Sequence, residues 1–291
     1  MTRADPYAFA SVAAEQLIKE LCITALPVDP FAIATGRKIE VRSKPTRDAG
    51  VSGMLIRVGN EFGIAYATHI DNEPFQRFSV SHELGHYFLP EHPDAVIGTN
   101  GIHESRAGYA SKDRYEMEAD RFAAGLLMPR HLFLPALERS GQGLSAIESL
   151  AATCKTSLHA TAIRYTQCTS DAVAIVISMG NKIDHCFMSE ALKAIDGIDW
   201  IRKHEVVPRN TPTFAFNQNV ENVRRAVRIQ ETSNLQDWFG GRNSIEINED
   251  VIGLGSYGKT LTVLYGIVVP NAEDEDEDNE ESLIESWTPR F

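Results

Sequence analysis

The chain has 291 residues, 43% of them hydrophobic and 23% charged, the profile of a soluble globular protein with room for about two domains. Its net charge is −12, but Glu273 to Glu281 holds eight acidic residues and no base, and without them the balance is −4. That excludes a broadly basic duplex-DNA surface, and the absence of any run of about 20 apolar residues excludes a membrane-spanning helix. The first residues lack an apolar signal segment. The four cysteines (Cys22, Cys154, Cys168, Cys186) form no CxxC pair and read as reduced core filler. Both features point to the cytoplasm.

In chain order, Phe9, Val12, Ala13, Leu17 and Leu21 recur at helical spacing over residues 6–21. Asp29-Pro30 is a cap followed by a first-turn proline, starting a short helix that ends at Gly36. Strands follow over 38–42, 51–58 and 62–68, the last two joined at Gly59-Asn60. The third strand leads into the central motif, and as a sheet edge it would be placed to receive an extended peptide.

A helix from about Pro74, closed by Pro90, carries His82-Glu83-Leu84-Gly85-His86. One turn of helix separates two imidazoles on one face, a spacing that grips Zn²⁺, with Glu83 beside them as general base. Residues 91–111 read as loop. A second helix, Tyr115 to Met128, ends at Pro129. A catalytic zinc needs a third protein ligand. His92 has the metzincin spacing from His86, although Leu89 replaces the turn glycine. Glu116 on the second helix would instead complete a His₂Glu set. Asp120, one turn on, could fix the tautomer of a ligating histidine, while Glu118 reads as a solvated face.

Arg77 to His86 together with Glu116 to Pro129, preceded by Gly53-Met54-Leu55, resembles the ImmA/IrrE family of zinc metallopeptidases over roughly residues 10–135. The resemblance implies an α+β, zincin-like peptidase domain with His82, His86 and Glu116 as zinc ligands and Glu83 as catalytic base. It implies a protein substrate, a helix-turn-helix repressor, whose cleavage derepresses stress or mobile-element genes. His92 becomes a neighbour of the site, and a role for Tyr115, His103 or Tyr109 at the oxyanion stays open.

Residues 144–165 read as helix, turn at Lys155-Thr156, and helix, with Ser157 as N-cap. Few full positive charges disfavour DNA binding, so a helical pair packed on the peptidase is expected. From Ala172 a smaller α/β module is expected: strands over 172–178, 245–247 and 261–269, and helices over 189–200 and 219–229. The second of these helices would carry Arg224, Arg225 and Arg228. The resemblance suggests a GAF-like regulatory identity for the module. Gly253 to Gly258 matches GxGxxG, but the β-like residues after it make it a hairpin turn rather than a dinucleotide site. Glu273 to Glu281 reads as a solvated linker, and the Leu283 to Phe291 end, with its Trp287 and Phe291, as a docking peptide that could restrain activity.

The expected organisation is therefore 1–136 peptidase, 137–169 helical segment, 170–270 α/β module and 271–291 linker with terminal peptide. Two rival functions remain: a non-catalytic regulator that holds a repressor on the zincin scaffold, and a DNA-binding regulator using 144–165.

Overall fold

A computed structural model describes residues 7–44, 50–106, 113–241 and 244–268. The expectations for the acidic linker, the terminal peptide and Tyr109 lie outside the described residues. The chain divides into two units, 1–168 and 169–291.

The first unit opens with α1 (Ala8–Glu20) and α2 (Pro30–Gly36). Asp29 caps α2 by accepting from Phe31 N and Ala32 N, with Pro30 in the first turn. The stripe that α1 buries is Ala10, Ala14, Leu17 and Ile18, whereas Phe9 and Val12 face outward. The expected face was wrong in part because small alanines let α1 lie close against a neighbouring helix.

Three strands follow, β1 (Glu40–Lys44), β2 (Val51–Val58) and β3 (Glu61–Ala67). Val58 pairs with Glu61 across a two-residue Gly59-Asn60 turn. Next come α3 (Glu73–Phe88), α4 (His92–Val96) and β4 (Ile102–Arg106). The sheet order is β1-β3-β2-β4, with β1 parallel to β3 and the other pairs antiparallel.

This order corrects two expectations. β3 is paired on both sides and cannot accept a further strand; β4 holds the edge beside β2. The segment 91–111 is likewise not all loop, since it contains α4 and β4. Five residues are too few for alternation to stand out from turn composition.

The unit closes with α5 (Arg114–Leu127), α6 (Arg130–Leu137), α7 (Gly143–Cys154) and α8 (Leu158–Cys168). Its core packs Ala14, Ile18, Leu55, Ile64, Val80, Leu84, Phe122 and Leu126 between sheet and helices. Lys155, at positive φ, ends α7, and Ser157 Oγ accepts from Ala160 N at the start of α8. The two cations of this pair are engaged inside the unit. Arg164 bonds Glu15 at 2.7 Å, and Lys155 bonds Glu73 at 2.8 Å.

The second unit runs β5 (Ala174–Met179), β6 (Lys182–Met188), α9 (Glu190–Lys193), α10 (Pro212–Asn217), α11 (Val220–Arg224), β7 (Arg228–Asn234), α12 (Leu235–Phe239), β8 (Glu246–Gly253) and β9 (Thr260–Tyr265). The sheet is antiparallel throughout, in the order β6-β5-β9-β8-β7. Residues 174–178 of β5 are all buried, so apolar side chains cover both faces and the alternation that marks a half-exposed strand is lost.

The helix expected over 189–200 shrinks to α9, and that over 219–229 stops at Arg224, leaving Arg228 on β7. Gly253 to Gly258 does lie in the β8–β9 connection, where residues 255–257 form a 3-10 turn. Cys154 and Cys168 are buried, but Cys22 is exposed and so is not core filler. No helix among the described residues is long and apolar enough to cross a membrane.

Candidate metal centre

α3 is started by Asn72, whose side chain accepts from Phe75 N, and by Pro74 in the first turn. Its inner face is buried from Ser79 to His86. α5 begins at Asp113, which accepts from Tyr115 N. The two helices meet closely at Gly85 and Ala119. A Cβ placed on Gly85 would sit 3.0 Å from Ala119 Cα. This small-residue contact lets the first turn of α5 reach the histidine face of α3.

Three side chains converge there. His82 Nε2 lies 3.1 Å from His86 Nε2 and 3.2 Å from Glu116 Oε2. His86 Nε2 lies 3.5 Å from Glu116 Oε1. All three ligand atoms fall within 4.8 Å of one another. Tetrahedral coordination at bonds of 2.0–2.2 Å separates ligand atoms by about 3.3–3.6 Å, so this triangle has the size and donor chemistry that suit Zn²⁺.

The surroundings favour positive charge at that spot. Burial works against a protonated His82, but Asp120 and Glu116 outweigh it and raise its pKa to about 10. Burial also disfavours charge on Glu116, yet bonds from His103, His82 and His86 hold the carboxyl well below the usual range. His86 is pushed down to about 3, chiefly by burial. Burial pushes the Glu83 carboxyl up, against the pull of His82, Ser105 and His103.

Glu83 is 0% exposed, and neither carboxylate oxygen has a close hydrogen-bond partner among the described residues, although the Ser105 hydroxyl lies near enough to favour its charged form. Its neighbour on β2 is Gly53, where a Cβ would stand 2.5 Å from Glu83 Oε1. The glycine leaves room for the carboxylate.

The surrounding residues divide as follows. Asp120 Oδ1 lies 2.8 Å from His82 Nδ1, the tautomer-fixing partner expected for it. His92 is not among the converging atoms. Glu91 at φ 69° turns the chain back, and His92 Nδ1 comes to 3.2 Å from His86 Nδ1, behind the ring. Glu118 is not a solvated residue: it is 2% exposed and bonds His92 at 2.8 Å and Arg114 at 2.6 Å. It does point away from Glu116, but α4 covers that side of the helix. The position of α4 depends on the turn at Glu91, which helical spacing along α5 does not encode.

His103, on β4, places Nε2 3.0 Å from Glu116 Oε1 and packs edge-on to His86 at 4.5 Å. Tyr115 instead packs against His92. No sequence signal ranked His103 above the other open candidates, because its place depends on β4 pairing with β2.

Comparisons with known proteins follow this geometry. A family model described as the IrrE N-terminal-like domain, Peptidase_M78, matches residues 35–166. Curated proteins give no match. A solved structure titled "Mycobacterium tuberculosis transcriptional regulator" shares 13% identity, with 88% of this chain and 75% of that chain covered at a TM-score of 0.56. At that identity the likeness is one of fold. Residues 35–166, which contain both helices of the candidate centre, thus match the model of an IrrE N-terminal-like domain, Peptidase_M78.

Proposed function

We propose that the first unit is a zinc-dependent endopeptidase whose substrate is a helix-turn-helix transcriptional repressor. The observation that carries the hydrolytic part is the pairing of a zinc-sized donor triangle with a wholly buried carboxylate that makes no close hydrogen bond among the described residues, the Ser105 hydroxyl acting on it from farther off. A structural carboxylate at that depth should have donors around it. One left open beside three ligand atoms suits a group that handles the proton of a reacting water.

His82, His86 and Glu116 would hold the ion, which when bound supplies Lewis-acid polarisation of a peptide carbonyl and acidifies a water. Glu83 takes the water's proton on a carboxylate oxygen and delivers it to the leaving amine. Asp120 keeps the His82 ring oriented, and His103 holds the Glu116 carboxylate. The second unit offers no comparable convergence of ligand atoms among its described residues, and we read it as regulatory. The repressor substrate rests on the family and on a fold neighbour titled a transcriptional regulator.

The test is mass spectrometry of a co-expressed repressor. One discrete cleavage is expected with the wild-type chain and none with Glu83→Gln, which should still bind zinc. Capture of the intact repressor by both proteins would favour the non-catalytic regulator. The DNA-binding alternative is weakened by the engagement of Lys155 and Arg164 in ion pairs. A gel shift at physiological salt through residues 144–165 would revive it.

A further inference from the structure

The two imidazoles that face Glu116 are supported differently. His82 Nδ1 has a carboxylate of its own, Asp120, whose side chain is 54% exposed. His86 Nδ1 has none. It faces His92 Nδ1 at 3.2 Å. His92 Nε2 is 2.8 Å from Glu118 Oε2, and Glu118 Oε1 accepts from Arg114 Nε at 2.6 Å. The row passes from α3 through α4 to α5. It starts at a fully buried ring and ends at a side chain that is 62% exposed.

We infer that His92, Glu118 and Arg114 form a positioning relay that fixes the tautomer of His86 and thereby sets the metal affinity of the centre. The inference rests on the metal-centre reading above.

One assignment of protons satisfies the whole row. Glu118, paired with Arg114, is ionised and can only accept. His92 Nε2 must therefore carry a hydrogen and donate it to Glu118 Oε2. A neutral His92 then has a bare Nδ1, which accepts from Nδ1–H of His86. That leaves the lone pair of His86 on Nε2, the atom that faces His82 and Glu116. The opposite tautomer of His86 would put a hydrogen where a ligand bond is needed.

The His92 ring is also held in place. Tyr115 meets it edge-on at 4.9 Å, and the Arg114 guanidinium lies 5.8 Å from the Tyr115 ring centre. Successive positions of α5 thus serve opposite sides of the site: Glu116 faces the imidazoles directly, and Arg114, Tyr115 and Glu118 clamp the residue behind one of them. An interposed neutral ring has a physical use here. Glu83, Glu116 and Asp120 already place three carboxyls around the histidines, and another buried beside His86 would add repulsion. The relay keeps Glu118 one imidazole away and balances it with Arg114.

The test uses the full-length chain freed of metal. Zn²⁺ affinity is read by competition with a chromophoric chelator, and the Co²⁺-substituted protein by its visible absorption. His92→Phe is expected to weaken Zn²⁺ binding about 10- to 100-fold and to shift the Co²⁺ bands. His92→Gln, whose amide can both accept from His86 and donate to Glu118, is expected to restore most of the affinity. Arg114→Met, which leaves the buried Glu118 bonded to His92 alone, should weaken binding by a smaller factor in protein whose fold is verified by circular dichroism. Equal affinity and an unchanged Co²⁺ spectrum in His92→Phe and Arg114→Met would overturn the relay while leaving the metal centre standing. A loss in His92→Phe that His92→Gln fails to restore would also overturn it, since packing alone then explains the effect. A wild-type chain that binds neither ion would remove the metal-centre reading itself.

Discussion

Among its described residues each unit of this chain buries one glutamate completely, and the two are treated in opposite ways. Glu249 on β8 is 0% exposed and fully engaged. Thr213 N and Thr213 Oγ1 both donate to its Oε1 at 2.7 Å, and Trp238 Nε1 donates to its Oε2 at 2.8 Å. Glu83 on α3 is equally buried but has no close partner on either oxygen among the described residues, only the more distant Ser105 hydroxyl acting on it. A carboxylate surrounded by donors ties elements together; here α10 and α12 are tied to the sheet. A carboxylate buried without close donors carries a desolvation cost that the fold does little to offset. Such a group belongs at a site where a reacting molecule completes its bonding. Burial alone therefore does not distinguish a structural acid from a catalytic one, whereas the list of donors does.

The comparison breaks most directly at Glu249. Glu249→Leu strands three buried donors and should cost about 3–5 kcal/mol of stability, read by urea unfolding followed through tryptophan fluorescence. An unchanged midpoint would mean that the network holds nothing. Glu83→Gln should behave oppositely. Its stability is expected to stay within about 1 kcal/mol of wild type, because no close native bond is lost and the amide oxygen can still face Ser105, while peptide hydrolysis falls about 10²- to 10⁴-fold. A large drop in melting temperature would place Glu83 with the structural acids.

Gly53→Ala probes the space that Glu83 needs. Its Cβ would lie 2.5 Å from Glu83 Oε1 and 3.1 Å from Cγ, so the carboxylate must move. The expected outcome is about a tenfold or larger fall in hydrolysis with retained zinc content, and a stability loss of about 1–3 kcal/mol from overpacking. Full activity in this variant would show that the position of Glu83 is not critical.

The smallest effect concerns a carboxylate of intermediate kind. Asp184 is partly buried and bonds Lys259 at 2.8 Å and Lys203 at 3.0 Å. Lys259 above all holds its carboxyl well below the usual range. A depressed folded value contributes stability that is present above the unfolded aspartate pKa near 4 and is lost as pH falls through the lower folded value. Solvent around both lysines limits the contribution to about 1 kcal/mol. Asp184→Asn should remove about that much at pH 7 and flatten the acid limb of the stability–pH curve. An unaltered acid limb would show that the pairs are inert.

Much of the first unit was legible because its signals are local. Asp29-Pro30 starts α2, and Gly59-Asn60 turns β2 into β3. His82 and Asp120 meet as their helical spacing allowed. The second unit was less legible. β5 is buried on both faces and so loses its alternation, and Ser189 to Trp200 is apolar enough to suggest a helix although only α9 forms. Two of that segment's apolar residues, Ile195 and Ile198, and Ile201 just after it pack against the core from irregular backbone. Apolar spacing reports burial, and a loop pressed onto a core produces it as readily as a helix does.

The sequence alone disclosed the histidine pair on one helical face, the acid beside it, and the prolines near either end of that helix. These follow from a fixed rise and rotation per residue and need nothing beyond neighbouring positions. It also offered Glu116 as one of two candidates for the third position. Only the tertiary structure put His92 behind His86 instead of among the ligand atoms, enclosed Glu118, and made β4 rather than β3 the sheet edge. Each of those outcomes depends on which distant segments pack together, as at the contact of Gly85 with Ala119. The periodicity of a single element carries no record of what will lie against it.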